Sequence, residues 1–171
     1  MDSLIKLQPI TWENYDEIIA LEVHESQKDF VASNQKSLAQ AYVYWANNDY
    51  NFLQPIVFGI YDCDVPVGFT TIAYEAGEGG FASNNGQPRY NLWRFMIDKN
   101  HQGKGYGKKA MKELIKYLST KPRGEAPTIY VSYASDNDAA RKLYESVGFV
   151  ETGEIDCEDS GYSEVVARFV F

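Results

Sequence analysis

Two stretches of this chain set chemistry-bearing residues at telling intervals. In the first, an apolar run (Leu92, Trp93, Phe95, Met96, Ile97) breaks at Asp98–His101. A glycine-laced turn follows, Gln102-Gly103-Lys104-Gly105-Tyr106-Gly107, and opens a lysine-rich helical pattern that reaches Met111. Strand, glycine turn and helix start together make a phosphate cradle. Glycines let the backbone come close, successive N–H groups converge, and the helix dipole adds partial positive charge. Spacing excludes two common phosphate loops. No Gly-Lys-Ser/Thr completes a Walker A motif, and a G-x-G-x-x-G count from Gly103 ends on Lys108. What remains is Gln-x-x-Gly-x-Gly on Gln102, Gly105 and Gly107.

The second stretch, Asn137 to Phe149, reads NDAARKLYESVGF: a capping asparagine, two small residues, a tyrosine and a terminal Gly-Phe. On spacing alone Tyr144 reads as a core-facing helix residue, with Leu143 and Val147. Together the two stretches resemble the GNAT superfamily of N-acetyltransferases. Its acetyl-CoA site combines a Q/R-x-x-G-x-G/A turn with a downstream N-x-x-A-x-x-x-Y-x-x-x-G-F segment. The resemblance covers essentially the whole chain.

That resemblance implies roles at the matching positions. The backbone of Phe95, Met96 and Ile97 would pair with the pantetheine arm as an added strand. The N–H groups of Gln102, Gly103, Lys104, Gly105, Tyr106, Gly107 and Lys108 would hold the pyrophosphate, with the Lys104 and Lys108 side chains near the phosphates. Asn137 would touch the cofactor where two strands splay apart, and Tyr144 would stand beside the thioester sulfur as general acid. The implied cofactor is acetyl-CoA, released as CoA, with no metal.

A nearer resemblance concerns the acceptor. LEVHESQKDFVASNQKSLAQA, taken with WRFMIDKNHQGKGYGKK, looks like the bacterial spermine/spermidine N-acetyltransferase branch. A polyamine is thereby implied as the small-molecule amine substrate, and Glu22, Glu25 and Asp29 are acidic residues that could meet it. They could equally be exposed helix-end charges. A primary amine, with a pKa of about 10, arrives protonated at neutral pH, so a base must free it for direct attack on the thioester. Glu75 is the first candidate for that base and for amine binding; a plain loop-edge carboxylate is the alternative. His24 could face the substrate, and His101 reads as packing or surface. Competing readings are an acetyltransferase for another amine (an aminoglycoside, a diamine or a protein N-terminus) and a non-catalytic CoA-binding module.

The elements that must position these residues read as α/β (α+β), a mixed, mostly antiparallel sheet flanked by helices in the order β-α-α-β-β-β-α-β-α-β-β. Strands are expected at Ser3–Gln8, Pro55–Tyr61, Pro66–Tyr74, Leu92–Ile97, Thr128–Ala134, Phe149–Ile155 and Ser163–Phe171. One early helix follows a Thr11 cap, with Tyr15, Ile18, Ile19 and Val23 as its apolar positions. A second follows Ser33 or Asn34 and carries Leu38, Ala41, Tyr42 and Trp45, with Phe30 and Val31 buried just before it. The lysine helix spans Tyr106–Leu118, and the last helix runs from an Asp136 or Asn137 cap to Val147. Glu75–Pro88 is a long glycine- and asparagine-rich loop of functional interest. Val165, Val166, Phe169, Val170 and Phe171 are either core or the contact of a homodimer.

At 171 residues the chain suits one domain, 1–171. Its net charge of −8 argues against nucleic acid, and no basic–aromatic stripe accompanies the lysines. Residues 98–124 nevertheless hold half of the 16 basic side chains and only Asp98 and Glu113 of the 24 acidic ones. One patch therefore suits a polyanion, and the acidic remainder suits a cation. No signal peptide or membrane-spanning run is evident, and Cys63 and Cys157 show no metal or redox spacing. Free thiols in a cytoplasmic protein are expected.

Overall fold

The computed structural model describes residues 4–47, 53–76, 86–157 and 163–171. Its elements are β1 (Ile5–Pro9), α1 (Tyr15–Ile19), a 3₁₀ turn at Glu25–Gln27, α2 (Asn34–Ala46), β2 (Leu53–Asp62) and β3 (Val65–Glu75). They continue with β4 (Arg89–Ile97), α3 (Tyr106–Ser119), β5 (Thr128–Ala134), α4 (Asp138–Glu145), β6 (Val150–Cys157) and β7 (Ser163–Val170). This is the expected order. The strands form one sheet, β1-β2-β3-β4-β5-β7-β6, antiparallel throughout except where β4 meets β5.

Side-chain alternation along the strands builds two cores. Ile72, Leu92, Ile129, Val131 and Tyr133 pack under Met111, Leu114 and Leu118 of α3 and Tyr144 of α4. Phe69 and Met96 face the other way, onto Ile18 of α1 and Leu38 of α2. On α3 the expected stripe is inside, with Ala110, Met111, Leu114 and Leu118 buried, while Lys108, Lys109, Lys112 and Lys116 are exposed.

Several boundaries differ from the sequence reading, each for a local reason. Thr11 does not cap the first helix. α1 is only five residues, and Asn14 precedes it, accepting the Thr11 N–H at 2.7 Å and donating to the Pro9 carbonyl at 3.1 Å. Val23 thus lies outside the helix. Ser33 caps α2, accepting from the Lys36 N–H at 3.2 Å. Tyr42 and Trp45 are 65% and 74% exposed, and Phe30 is exposed too. Polar Asn34 is buried in their stead, donating to the Ile18 carbonyl at 2.8 Å and tying α2 to the end of α1.

α4 ends at Glu145 rather than Val147. Gly148, at φ +101°, turns the chain so that the Phe149 N–H reaches the Tyr144 carbonyl. Glu75 is the last residue of β3, not the first of a loop, and residues 77–85 of the anticipated Glu75–Pro88 loop lie outside the described residues. At the C-terminal end Val165 and Phe169 pack against the core, while Val170 and Phe171 are exposed. No described helix is long and apolar enough to cross a membrane.

Candidate active site

The site begins with a bulge in β4. Thr71 pairs with Arg94 and Ile72 with Leu92, so Trp93 is the extra residue. A bulge breaks alternation and re-aims side chains. Trp93 and Arg94 accordingly both turn toward α2: the Trp93 ring lies 5.0 Å from that of Tyr44, and Arg94 Nη2 is 3.5 Å from Gln40 Oε1. Phe95 then faces α3.

The same point ends the pairing of β4 with β5. Their ladder holds only Tyr90–Ile129, Asn91–Tyr130 and Leu92–Val131. Beyond it, residues 94–97 pair only with β3 and residues 132–134 only with β7. The two strands part, leaving the β5-facing edge of Phe95, Met96 and Ile97 without a strand partner among the described residues. A half-buried strand edge of this kind can be completed by another chain of amide groups.

At the end of β4 lies the glycine turn. Gly103 and Gly105 have φ of +76° and +78°, and a Cβ on either would meet nothing within 4 Å, so the turn faces open space. Gly105 is also the N-cap of α3 and offers no side-chain cap, which leaves the helix's first N–H groups pointing outward. Lys108 is exposed on that first turn, and Lys104 folds back so that its Nζ donates to the Asn100 carbonyl at 2.9 Å. The Tyr106 side chain points away, donating to Asp62 Oδ2 at 2.7 Å, so only its backbone serves the turn. Gln102 acts through its side chain, donating to the Ile97 carbonyl and to Gln27 Oε1, both at 2.9 Å.

Asn137 follows β5 and caps α4, accepting the Ala140 N–H at 3.1 Å. Tyr144 sits on that helix, 7% exposed, with its ring 5.5 Å from both Tyr133 and Phe149. The packing is that of the core reading, and Tyr133, against which the ring lies, belongs to the part of β5 that has left β4. Burial, with a smaller contribution from Tyr133, pushes its hydroxyl pKa up, so the proton stays on oxygen.

The acceptor-side candidates are less open than the sequence suggested. Glu75 is 0% exposed, its Oε2 taken by Arg89 Nε at 2.6 Å and its Oε1 by Asn91 Nδ2 at 3.1 Å. As placed, both oxygens are engaged and the carboxylate is closed off from the surface. Glu22 holds the Lys99 ammonium at 3.0 Å and Glu25 that of Lys28 at 2.7 Å, all at the surface. The Lys99 hydrogen bond and charge hold the Glu22 carboxyl below its usual range. His24 is exposed, and His101 packs against Tyr106.

Three contributors escaped the sequence reading. Buried Asp98 accepts the Glu22 N–H at 3.0 Å, the Asn100 N–H at 2.9 Å and the Asn100 amide at 3.1 Å. Burial pushes its carboxyl up, but those hydrogen bonds outweigh it and the pKa falls below the ordinary value. The other two are Gln27, bound to the glycine turn, and Arg94. The Asp-Lys-Asn strand end could have signalled a side-chain turn at Asp98; nothing local signals the other two.

The sequence matches the Acetyltransferase (GNAT) family over residues 15–149. This chain belongs to that family. It is 30% identical over 161 residues to the spermine/spermidine N(1)-acetyltransferase of Bacillus subtilis strain 168, an alignment covering 89% of this chain and 91% of that one. A Vibrio cholerae spermidine N-acetyltransferase solved with CoA and spermine has a similar fold (TM-score 0.66, 18% identity, 97% of this chain and 95% of that chain). So does the aminoglycoside acetyltransferase AAC(6')-Ib with coenzyme A (TM-score 0.71, 15% identity, 98% and 95%). Acetyl-CoA, the acetyl donor of GNAT enzymes, fits the residues present: a partnerless strand edge for the pantetheine amides, and an open, cationic glycine turn for the diphosphate.

Proposed function

We propose that the protein moves the acetyl group of acetyl-CoA to a terminal amine of a small polyamine of the spermidine or spermine type. The parting of β4 from β5 beside the glycine turn carries the acyl-transfer reading. The polyamine reading draws support from the relatives named above and from the acidic excess outside residues 98–124.

When bound, acetyl-CoA supplies an acetyl group already activated as a thioester. The chain's residues do the rest. The N–H groups of residues 102–108 hold the diphosphate, and the edge of Phe95–Ile97 aligns the arm. A backbone N–H on that edge stabilises negative charge on the carbonyl oxygen. Tyr144 keeps its proton at neutral pH and gives it to the departing sulfur. Glu22 and Glu25 already bind alkylammonium groups, those of Lys99 and Lys28, and exchange them for the ammonium groups of the substrate. Glu75 anchors Arg89 and Asn91, so this reading does not rely on it as the base.

The test is a panel of spermidine, spermine, short diamines, an aminoglycoside and a peptide N-terminus, with released CoA read by a thiol reagent. Turnover led by the polyamines is expected. Turnover led by the aminoglycoside or peptide would overturn the substrate class, and none with any amine would overturn the catalytic reading.

A further inference from the structure

The face of the sheet under α2 carries the polar residues nearest the parting of the strands, and its charge has an unexpected sign. Glu75 and Arg89 neutralise one another at 2.6 Å, with the Arg89 guanidinium 4.9 Å from the centre of the Tyr130 ring. Arg94 has no such partner. Its Nη1 donates to the Trp93 carbonyl at 2.7 Å, its Nη2 reaches Gln40 at the edge of hydrogen-bond range, and its Nε is buried with no acceptor. Thr71, its register partner on β3, has a buried hydroxyl that is also unpartnered. Among the described residues no carboxylate pairs with this half-buried cation. Of the titratable groups on the strands and helix around it, Tyr74, Tyr90 and Tyr133 belong to the core under α3 and Lys36 and Tyr42 of α2 are exposed; Glu75, Arg89, Tyr130 and Tyr44 remain, the last against Trp93.

We propose that the unneutralised guanidinium of Arg94, one residue from the strand edge that receives the thioester arm, frees the acceptor amine by repelling its protonated form. This rests on the acetyl-transfer reading above and supplies what that reading lacks, a route to the neutral nucleophile once Glu75 is tied up. A like charge disfavours an ammonium. A unit charge about 6 Å away, at an effective dielectric of about 20, lowers an amine's pKa by about two units. The ammonium passes one proton to water before attack. The neutral nitrogen then forms the C–N bond as the C–S bond breaks, and nitrogen's second proton balances the one taken up by sulfur. Arg94 is thus a positioning and electrostatic group for the acceptor, and it also orients a polyamine with its other cationic nitrogens pointing away from the bulge.

The experiment is kcat against pH, with saturating spermidine and acetyl-CoA, for the wild type, Arg94→Met and Arg94→Lys. The wild-type profile should rise with an apparent pKa one to two units below the amine's own value of about 10. Arg94→Met should move that edge back toward about 10, cutting kcat at pH 7 by about 10- to 100-fold with recovery near pH 10, and leave acetyl-CoA binding unchanged by calorimetry. Arg94→Lys should keep the low edge. A wild-type edge already at the amine's own pKa, which needs no variant to fold, overturns the proposal. So does an Arg94→Met profile that does not move. Activity with an unmoved profile would remove this inference and spare the acetyltransferase; silence with every amine would remove both.

Discussion

The carboxamides of Gln27 and Gln102, 75 residues apart, hold each other: Gln102 Nε2 donates to Gln27 Oε1 at 2.9 Å, and Gln27 Nε2 donates back at 3.3 Å. Gln27 Oε1 also accepts the His24 N–H at 3.1 Å. The segment carrying Glu22 and Glu25 is therefore fastened to the glycine turn, so that the proposed acceptor and cofactor sides share one clasp.

Gln102→Leu cuts the clasp and leaves the Ile97 carbonyl and the Gln27 amide without their partner. These groups are half-buried, and a hydrogen bond lost there costs about 0.5–1.5 kcal/mol. Urea denaturation should show a loss in that range, and KM should rise for acetyl-CoA and amine together. A rise in the acetyl-CoA KM alone would mean the clasp does not couple the two sides.

Gly105 is held at φ +78° with open space around it, so a methyl group there meets strain and not a clash. Gly105→Ala should cost about 1 kcal/mol of stability and weaken acetyl-CoA binding by about tenfold, as the helix's first N–H groups turn away. Gly105→Asn, which tolerates the left-handed region better, should lose less. Calorimetric titration with CoA ranks the three, and equal affinities would separate the turn from diphosphate binding.

What the sequence made legible was what local chemistry determines. The glycine turn, the α3 stripe, the Asn137 cap and the order of elements all follow from residues within a few positions of one another. The acceptor side was hidden because it depends on register. The direction of Arg94 is decided by one extra residue, Trp93, in β4, and a one-residue shift sends a strand's side chains to opposite faces. Glu75 looked like a loop residue until the β3–β4 pairing set it opposite Arg89. Tyr42 and Trp45 fit a helical stripe, but α2 anchors itself through polar Asn34, and no periodicity rule reports that.

Glu75→Gln tests the buried pair. Removing the carboxylate's charge takes from the Arg89 guanidinium, at 5% exposure, the anion that meets it at 2.6 Å. Breaking one side of a buried pair costs about 3–5 kcal/mol, which for a chain this size is a fall in Tm of about 10 °C. Arg89→Met together with Glu75→Gln should recover much of it. If Glu75→Gln instead leaves Tm unchanged and shifts the pH profile of kcat, Glu75 is the base after all.

Asp98 makes an acid-side prediction. Its folded pKa lies below the ordinary value, so its stabilisation is present above about pH 4 and is lost as pH falls through the folded value. Asp98→Asn should lower Tm at pH 7, where the Glu22 N–H loses an anionic acceptor. The difference from wild type should shrink as the buffer is taken toward pH 3. A difference that persists at pH 3 would mean that packing, not the carboxylate charge, carries the effect.

Tyr144 makes the alkaline counterpart and the catalytic test in one residue. Burial raises its pKa, and it also raises those of Tyr61 and Tyr133 to about 12, helped by Glu17 and Glu151 at their hydroxyls. A phenol whose folded pKa exceeds its unfolded value of about 10 stabilises the fold fully below that value and loses its contribution as pH rises through the folded value. Thermal unfolding should therefore hold level to about pH 10 and fall steeply above it. Tyr144→Phe keeps the ring between Tyr133 and Phe149 and removes only the hydroxyl, so Tm should change little, while kcat falls by about 10²-fold and acetyl-CoA affinity stays within a factor of about two. The loss should be smaller with a thioester whose thiol is more acidic, because a better leaving group needs less help from a donor. Equal losses for both thioesters would leave Tyr144 a wall of the site and not its acid.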